Sequence, residues 1–380
     1  MTNASDLPKP TSFHQIFSYR SQDQPNHTGF YYPEPVNAEH YRELTFKGTD
    51  DLINHLAAQY ATLLPKADES TISKATPKSV PNPPMVVATL GSNNFQLLLT
   101  GLAAQRMKHC YIHISPLNSD AGILSLLESM DAKVLIADNV FYARAEALAA
   151  QTEGVYLISM IEFDPVDELK KDLETFNYDK TRDEGENCSF IIHTSGTSSS
   201  APKPIGMQTN PCLVALRAAT TGTSMALPLA KDPKHRILPE IINSVKALPN
   251  ADCLVFHPIL AEAIWETYGK KNSPELEYLR RLEEVAVGGG KLSINVANEL
   301  RDLGINVRSA IASTEVGAFP LRCEPTKENW DLFVSKNDYH VKWEHIEGNQ
   351  YELLINDPPD LALNLGIPKG GIYRTNDVFE

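Results

Sequence analysis

No stretch of the chain approaches the ~18 consecutive apolar residues that a membrane-spanning helix requires, so none is expected. The first residues, Met1 to Gln24, are polar with Pro and Ser and lack an apolar segment, so no secretory signal peptide is expected there. Cysteine is scarce. Cys110, Cys188, Cys212, Cys253 and Cys323 are scattered, odd in number and without a C-x-x-C, which argues against a disulfide framework and a zinc site and fits a reducing compartment. Basic runs are missing too. With 34 Lys and Arg against 48 Asp and Glu, the formal net charge is −14. That balance argues against nucleic-acid and membrane-surface partners, and the expected location is the cytoplasm. It does not exclude a nucleotide, because a few backbone N–H groups and one lysine suffice for phosphate. Neither G-x-S-x-G nor G-x-G-x-x-G occurs, which leaves a hydrolase elbow and a dinucleotide fingerprint unsupported. His109 and His113 have the i, i+4 spacing of a helical metal pair. Their segment reads as a strand, which sets them ~13 Å apart.

What is present is ordinary globular material: 380 residues, 42% hydrophobic and 22% charged, enough for two or three domains or subdomains. Residues 1–40 read as an irregular segment. Arg42 to Phe46 reads as a strand and Asp50 to Leu64 as an amphipathic helix, with Asp50 or Thr49 as its N-cap. From Met85 an alternation begins. Apolar strands at Met85–Leu90, Cys110–Ile114, Lys133–Ala137 and Gly154–Met160 are separated by helical stretches. After an acidic loop the strand Ser189–His193 follows. Near-continuously apolar strands separated by helices predict a parallel sheet covered on both faces. The alternation resumes near residue 234, with strands at Asp252–Phe256, Glu284–Val287 and Asn306–Ile311. From 329 the pattern becomes antiparallel strands without helices. The expected fold is α/β: two doubly wound parallel-sheet subdomains over 41–328, with their boundary near 190–235, and a partial β-barrel over 329–380.

Four segments carry candidate chemistry. The strand Ile191-Ile-His runs into Thr194-Ser-Gly-Thr-Ser-Ser-Ser-Ala-Pro-Lys203. Small residues let backbone N–H groups converge on an anion, hydroxyls add donors, and Lys203 supplies one mobile charge. The bland alternative is a flexible Ser-rich linker. Glu284-Val-Ala-Val-Gly-Gly-Gly-Lys-Leu-Ser293 opens a strand end into glycines, where a flat ring can approach the backbone; by itself it is a tight turn. It is not a Walker A loop, since Leu292 stands where a metal-binding hydroxyl is required. Ser313-Thr-Glu315 places hydroxyls beside a carboxylate at a strand end, suited to α-phosphate and a cation or to a plain N-cap. In Gly370-Gly-Ile-Tyr-Arg-Thr-Asn-Asp377, an Asp on a turn can accept two ribose hydroxyls or be an ordinary polar turn.

In this order and spacing, the four segments resemble the adenylate-forming superfamily of acyl-CoA synthetases, luciferases and peptide-synthetase adenylation domains. Residues 194–203 are similar to its T-S-G-[ST]-T-G-x-P-K signature. Val287 to Ser293 is similar to its G-G-A-P-L-S segment, Ser313-Thr-Glu315 to its S-T-E motif, and Tyr373 to Asp377 to its Y-[RK]-T-G-D. Residues ~25–380 share the resemblance, and the Pro-Lys-Pro form looks nearest to fungal synthetase-like carboxylate reductases. It implies ATP and Mg²⁺ as cofactors and a carboxylic acid as substrate. Coenzyme A or a phosphopantetheine carrier would then take the acyl group. It gives Thr194, Ser195, Gly196, Thr197, Ser198 and Lys203 to pyrophosphate. Gly288, Gly289 and Gly290 go to adenine, Thr314 to the α-phosphate, Ser313 beside it to the nucleotide, Glu315 to Mg²⁺ and Asp377 to ribose.

The departures set a competing expectation. The loop at 194–203 is one residue longer than the pattern and lacks its second glycine. Ile311-Ala312 stand in place of Tyr-Gly, which removes a stacking platform worth on the order of 1 kcal/mol. Asn376 stands in place of Gly, which Asn tolerates because it accepts left-handed geometry. Between Thr220 and Leu227 the family carries a few dozen further residues that wall the acyl pocket. The family's mobile C-terminal domain, with its adenylation lysine, would follow Asp377 and is expected to be absent. On these grounds the alternative is an internally deleted relative that holds a nucleotide without turnover.

Overall fold

The computed structural model describes residues 13–34, 40–65, 85–92, 94–178, 190–193, 204–207, 224–226, 237–313, 317–318, 321–323, 330–335, 341–356 and 371–380. The chain divides into two compact units, residues 1–235 with 362–364 and residues 236–361 with 365–380.

Unit 1 is organised by a six-stranded sheet. Its strands are β3 (Val86–Leu90), β4 (Cys110–Ile114), β5 (Val134–Ala137), β6 (Tyr156–Ser159), β7 (Phe190–His193) and β8 (Pro204–Met207). They lie in the order β6-β5-β3-β4-β7-β8, all parallel except β8 against β7. The chain steps one way from β3 to β4 and the other way from β4 to β5. Right-handed crossovers therefore place the connecting helices on opposite faces. Alternation along β3 shows the result. Val87 packs with α2 (Phe46–Leu63) and α3 (Phe95–Arg106), whereas Val86, Ala88 and Leu90 pack with α4 (Asp120–Ser129) and α5 (Tyr142–Ala149). Burial on both faces is why these strands read as unbroken apolar runs. Packing is close enough to demand a glycine. A Cβ on Gly101 of α3 would lie 2.6 Å from the Tyr111 ring of β4.

Two readings near the N-terminus are corrected. Residues 1–40, expected to be irregular, contain helix α1 (Phe13–Asp23) and strand β1 (Thr28–Pro33). β1 pairs antiparallel with β2 (Tyr41–Thr45) and parallel with β9 (Met225–Ala226). The N-cap of α2 is Thr45, whose side chain accepts the Gly48 N–H at 3.0 Å; it is neither Thr49 nor Asp50. Asp50 lies inside the helix and faces a buried arginine, a long-range partner that no local pattern announces.

Unit 2 has a parallel sheet in the order β10 (Cys253–Phe256), β11 (Glu284–Gly288), β12 (Val307–Ala310). Here the chain steps in one direction, so the crossovers place their helices on one face. That face carries Phe256, Val285, Val287 and Val307. It packs with α7 (Ile237–Ala247), α8 (Pro258–Ile264), α9 (Leu276–Arg280), α10 (Ile294–Asp302) and Trp330. α6 (Pro165–Glu168) belongs to unit 1 and interrupts the acidic stretch read as loop. After β12 come two short hairpins, β13 (Ala312–Ser313) with β14 (Gly317–Ala318) and β15 (Leu321–Cys323) with β16 (Phe333–Ser335). An antiparallel sheet follows, β17 (Val341–Glu347), β18 (Gln350–Asn356) and β19 (Ile372–Phe379), in agreement with the change of texture read from 329. No helix among the described residues is long and apolar enough to cross a membrane.

Candidate functional site

In parallel α/β sheets, ligands bind beyond the carboxyl ends of the strands, where backbone groups and short loops converge. Each candidate segment of the sequence begins at such an end or on the antiparallel sheet of unit 2.

In unit 1 the hydroxyl-rich segment leaves β7 at His193 and returns at Pro204, and these two residues are paired across the β7–β8 ladder. Residues 194–203 therefore connect neighbouring strands of one sheet and are not a tether between domains. Thr194, Ser195, Gly196, Thr197, Ser198 and Lys203 themselves lie outside the described residues. At the neighbouring strand ends, buried Asp138 accepts the Ser92 N–H at 2.6 Å and the Phe141 N–H at 3.0 Å, fixing the turns after β3 and β5 to each other. His113 of β4 shares Thr89 Oγ1 with the Tyr111 hydroxyl, at 3.3 Å and 2.9 Å. His109 precedes the strand, and burial pushes its imidazole pKa down to about 4, so it is neutral. Among the described residues no group of three or more His, Cys, Asp or Glu side chains could hold a metal.

In unit 2 the carboxyl ends of β10, β11 and β12 bring three segments together. β11 ends at Gly288, opposite Ala310 of β12. A Cβ on Gly288 would lie 2.8 Å from the Ala310 carbonyl oxygen, so only glycine permits this approach. Gly289 has φ +85 and turns the chain out of the sheet; Gly290 follows, and both are exposed. From the end of β10, His257 reaches the same turn. Its Nδ1 accepts the Ile259 N–H at 3.4 Å, capping α8, which leaves Nε2–H to donate to the Gly289 carbonyl at 3.2 Å. The structure makes His257 the clamp of the glycine turn. Gly288→Ala is expected to part β11 from β12 and to cost unit 2 ~1–3 kcal/mol. A lower midpoint for the unfolding transition of unit 2 checks this, and an unchanged midpoint contradicts it.

β12 leads through Ile311 to Ser313, which pairs with Gly317. Thr314 and Glu315 fall on the three-residue connection between them, outside the described residues. Ile311, which stands in place of the family's tyrosine, packs with Leu353, Ile355, Tyr373 and Phe379 against one face of the β17–β19 sheet.

Asp377 lies on β19 where the ladder is irregular. Glu352 of β18 is paired with Val378, and Leu354 with Arg374. Three residues, Thr375, Asn376 and Asp377, thus oppose the single Leu353, which makes a bulge. Asn376 adopts φ 59, the left-handed geometry expected of it. The Thr375 hydroxyl donates to the Leu353 carbonyl at 2.9 Å and accepts the Asp377 N–H at 3.0 Å, so the bulge satisfies its own backbone. Asp377 is exposed on it. The residue that sequence reasoning missed is Glu352, buried beneath the bulge. In the strand Tyr351 to Ile355 it is the one charged residue, and nothing local marks it as buried.

The architecture recurs in solved structures. The N-terminal subdomain of Klebsiella oxytoca NpsA, in complex with 3-hydroxybenzoyl-AMSN, superposes with a TM-score of 0.69 at 15% identity, over 97% of this chain and 96% of that one. The anthranilate CoA ligase AuaEII, in complex with anthranoyl-AMP, gives a TM-score of 0.72 at 14% identity, over 99% of this chain and 76% of that one. The protein thus has the fold of the N-terminal subdomain of an adenylation domain. Its curated sequence relatives are fungal carboxylic acid reductases and adenylate-forming reductases. The carboxylic acid reductase of Neurospora crassa is 24% identical over 356 residues, 80% of this chain and 32% of that protein. The chain spans about a third of the length of the curated relatives it matches. No family model matches the chain.

Proposed function

We propose that the chain binds ATP and activates a carboxylic acid as its acyl-adenylate. The observation that carries this reading is the glycine turn Gly288–Gly290, held open at the end of β11 by the close approach of β12 and by His257. It lies in a fold whose solved relatives are complexed with an acyl-AMP and with an acyl-AMSN. The exposed turn, bare of side chains, suits the face of adenine. Asp377 on its bulge accepts the ribose hydroxyls. Residues 194–198 and Lys203 take the departing pyrophosphate, and Ser313 and Thr314 take the α-phosphate. A carboxylate oxygen of the acid attacks the α-phosphorus, the bond to the β-phosphate oxygen breaks, and acyl-AMP and pyrophosphate result. The work is positioning and charge stabilisation. Mg²⁺, which neutralises phosphate charge when bound, would be held by Glu315 with the triphosphate and water, since this ion is commonly bound through one or two carboxylates and substrate oxygens. The acyl group then passes to a thiol, that of coenzyme A or of a phosphopantetheine carrier, and the whole protein works in the cytoplasm.

The second reading, nucleotide binding without turnover, draws on Ile311, which packs with the β17–β19 sheet and offers adenine no ring. A thermal-shift titration with ATP and Mg²⁺ tests what the two readings share. A ligand that binds only the folded state stabilises it by RT ln(1 + [L]/Kd), about 2.7 kcal/mol at a hundredfold excess over Kd. The expected result is a shift in wild type that Asp377→Ala loses. No shift in a cooperatively melting wild type would sink both readings.

A further inference from the structure

Glu352 is a charged residue where a strand would normally bury an apolar one. Its side chain is 8% exposed, and it sits on the central strand of the β17–β19 sheet. Ionised carboxylates are buried only when their oxygens are occupied. One oxygen of Glu352 pairs with the guanidinium of Arg374, which also pairs with Glu344 across the sheet. Those two carboxylates raise the pKa of Arg374 and keep it charged. The other oxygen accepts the backbone N–H of Asn376 at 3.2 Å. Asn376 is the left-handed residue of the bulge, and Asp377 follows it. A bulge lacks ladder hydrogen bonds by construction, so its shape depends on whichever groups replace them. Leu353 and Thr375 supply one replacement. Glu352 supplies the other, and it reaches the amide immediately before the aspartate.

We propose that Glu352 is a positioning residue for nucleotide binding: by accepting the Asn376 amide and anchoring Arg374, it fixes the bulge that presents Asp377 to the ribose hydroxyls. The proposal rests on the adenylate-forming reading of the site and assigns within it a residue that touches no substrate atom.

Ribose recognition separates this role from general stability. The 380-residue chain is titrated with ATP and with the analogue of ATP that lacks both ribose hydroxyls, by calorimetry, in wild type, Asp377→Ala, Glu352→Leu and Glu352→Gln. Charge-assisted hydrogen bonds to two hydroxyls predict a wild-type preference for ATP on the order of tenfold to a hundredfold. Asp377→Ala is expected to remove that preference. Glu352→Leu, which cannot accept the amide, is expected to reduce it to within about threefold of Asp377→Ala while leaving affinity for the dideoxy analogue unchanged. Glu352→Gln keeps an acceptor and is expected to retain most of the preference; if the leucine variant fails to fold, Glu352→Met, of similar size and without an oxygen acceptor, takes its place with the same expectation. A folded Glu352→Leu that keeps the wild-type preference overturns the proposal. So does a Glu352 variant that loses affinity for ATP and the analogue in equal measure, because that is the signature of a merely structural residue.

Hydrogen exchange at the Asn376 amide, measured without nucleotide, separates this failure from that of the underlying reading. Exchange is expected to be at least about tenfold faster in Glu352→Leu than in wild type, since the amide loses its acceptor. Equal rates overturn the geometric role of Glu352. Faster exchange in a chain whose wild type binds neither nucleotide overturns the nucleotide reading, and the assignment to ribose recognition with it.

Discussion

Arg106→Ala is expected to destabilise unit 1 by about 3–5 kcal/mol, because it strands a buried carboxylate. Arg106 ends α3 and is wholly buried. Its guanidinium donates to the Asp50 carboxylate at 2.6 Å, the Asp50 carbonyl at 3.0 Å, the His14 carbonyl at 3.0 Å and the Ser18 hydroxyl at 3.0 Å. It also lies 4.8 Å from the centroid of the Tyr178 ring. One side chain thus joins α1, α2 and α3 and the segment that carries Tyr178. Removing it leaves Asp50 charged, buried and supported only by the hydroxyls of Ser18 and Ser21.

The pH dependence of this loss follows from Asp50. Burial works to raise its carboxyl pKa. The charge of Arg106, then the hydrogen bonds from Ser18, Arg106 and Ser21, outweigh burial and hold it below the ordinary carboxylate value of 3.8. A depressed folded pKa contributes stability that is present above the unfolded value and lost as pH falls through the folded one. Wild type is therefore expected to lose this contribution only in strong acid. In Arg106→Ala burial, the largest influence, is opposed only by the hydroxyls of Ser18 and Ser21 and is expected to raise the pKa, so protonation relieves the variant. Its deficit is expected to shrink as pH falls from about 7 toward about 4. Denaturant melts of both proteins across that range, followed by amide exchange in α2 and α3, check the sign. A deficit that grows with acid, or stays under about 1 kcal/mol, would show that the arginine does not carry this junction.

Lys203→Ala and Glu315→Ala are each expected to lower acid-dependent pyrophosphate release by at least about a hundredfold, the usual cost of removing one preorganised charge-stabilising group. Lys203 immediately precedes Pro204, the first residue of β8 and the partner of His193. Glu315 lies two residues after Ser313 on the connection back to Gly317. Paired strands bound the connection that carries each residue, β7 with β8 and β13 with β14, and truncating either side chain is expected to remove charge alone. The assay measures pyrophosphate with a panel of carboxylic acids. Unchanged rates in both variants would remove these residues from the chemistry. ATP binding without acid-dependent release in wild type would select the nucleotide-holding alternative.

Much of this was legible from residues alone. The alternation of apolar strands and helices from Met85 to His193 records burial on both faces of a sheet, and the structure has that sheet. The candidate segments stand out because they interrupt regular texture at strand ends. Gly288 and Asn376 carry local constraints, a close backbone approach and a positive φ, that their residue types announce.

Other features were not legible, because they depend on what lies opposite in space. Asp50 resembles a helix cap until Arg106, 56 residues away, claims it, and α1 shows little pattern of its own until the same arginine binds its backbone. Glu352 is one charged residue in the otherwise apolar strand Tyr351 to Ile355, with nothing local to give it a partner, until the bulge of β19 folds over it. Periodicity, turn residues and glycine are governed by steric limits within a few residues, so the sequence by itself determined the alternation of apolar strands and helices from Met85 and where the candidate loops fall. Which polar groups are buried together depends on the close packing of distant segments, and that only the tertiary structure decided.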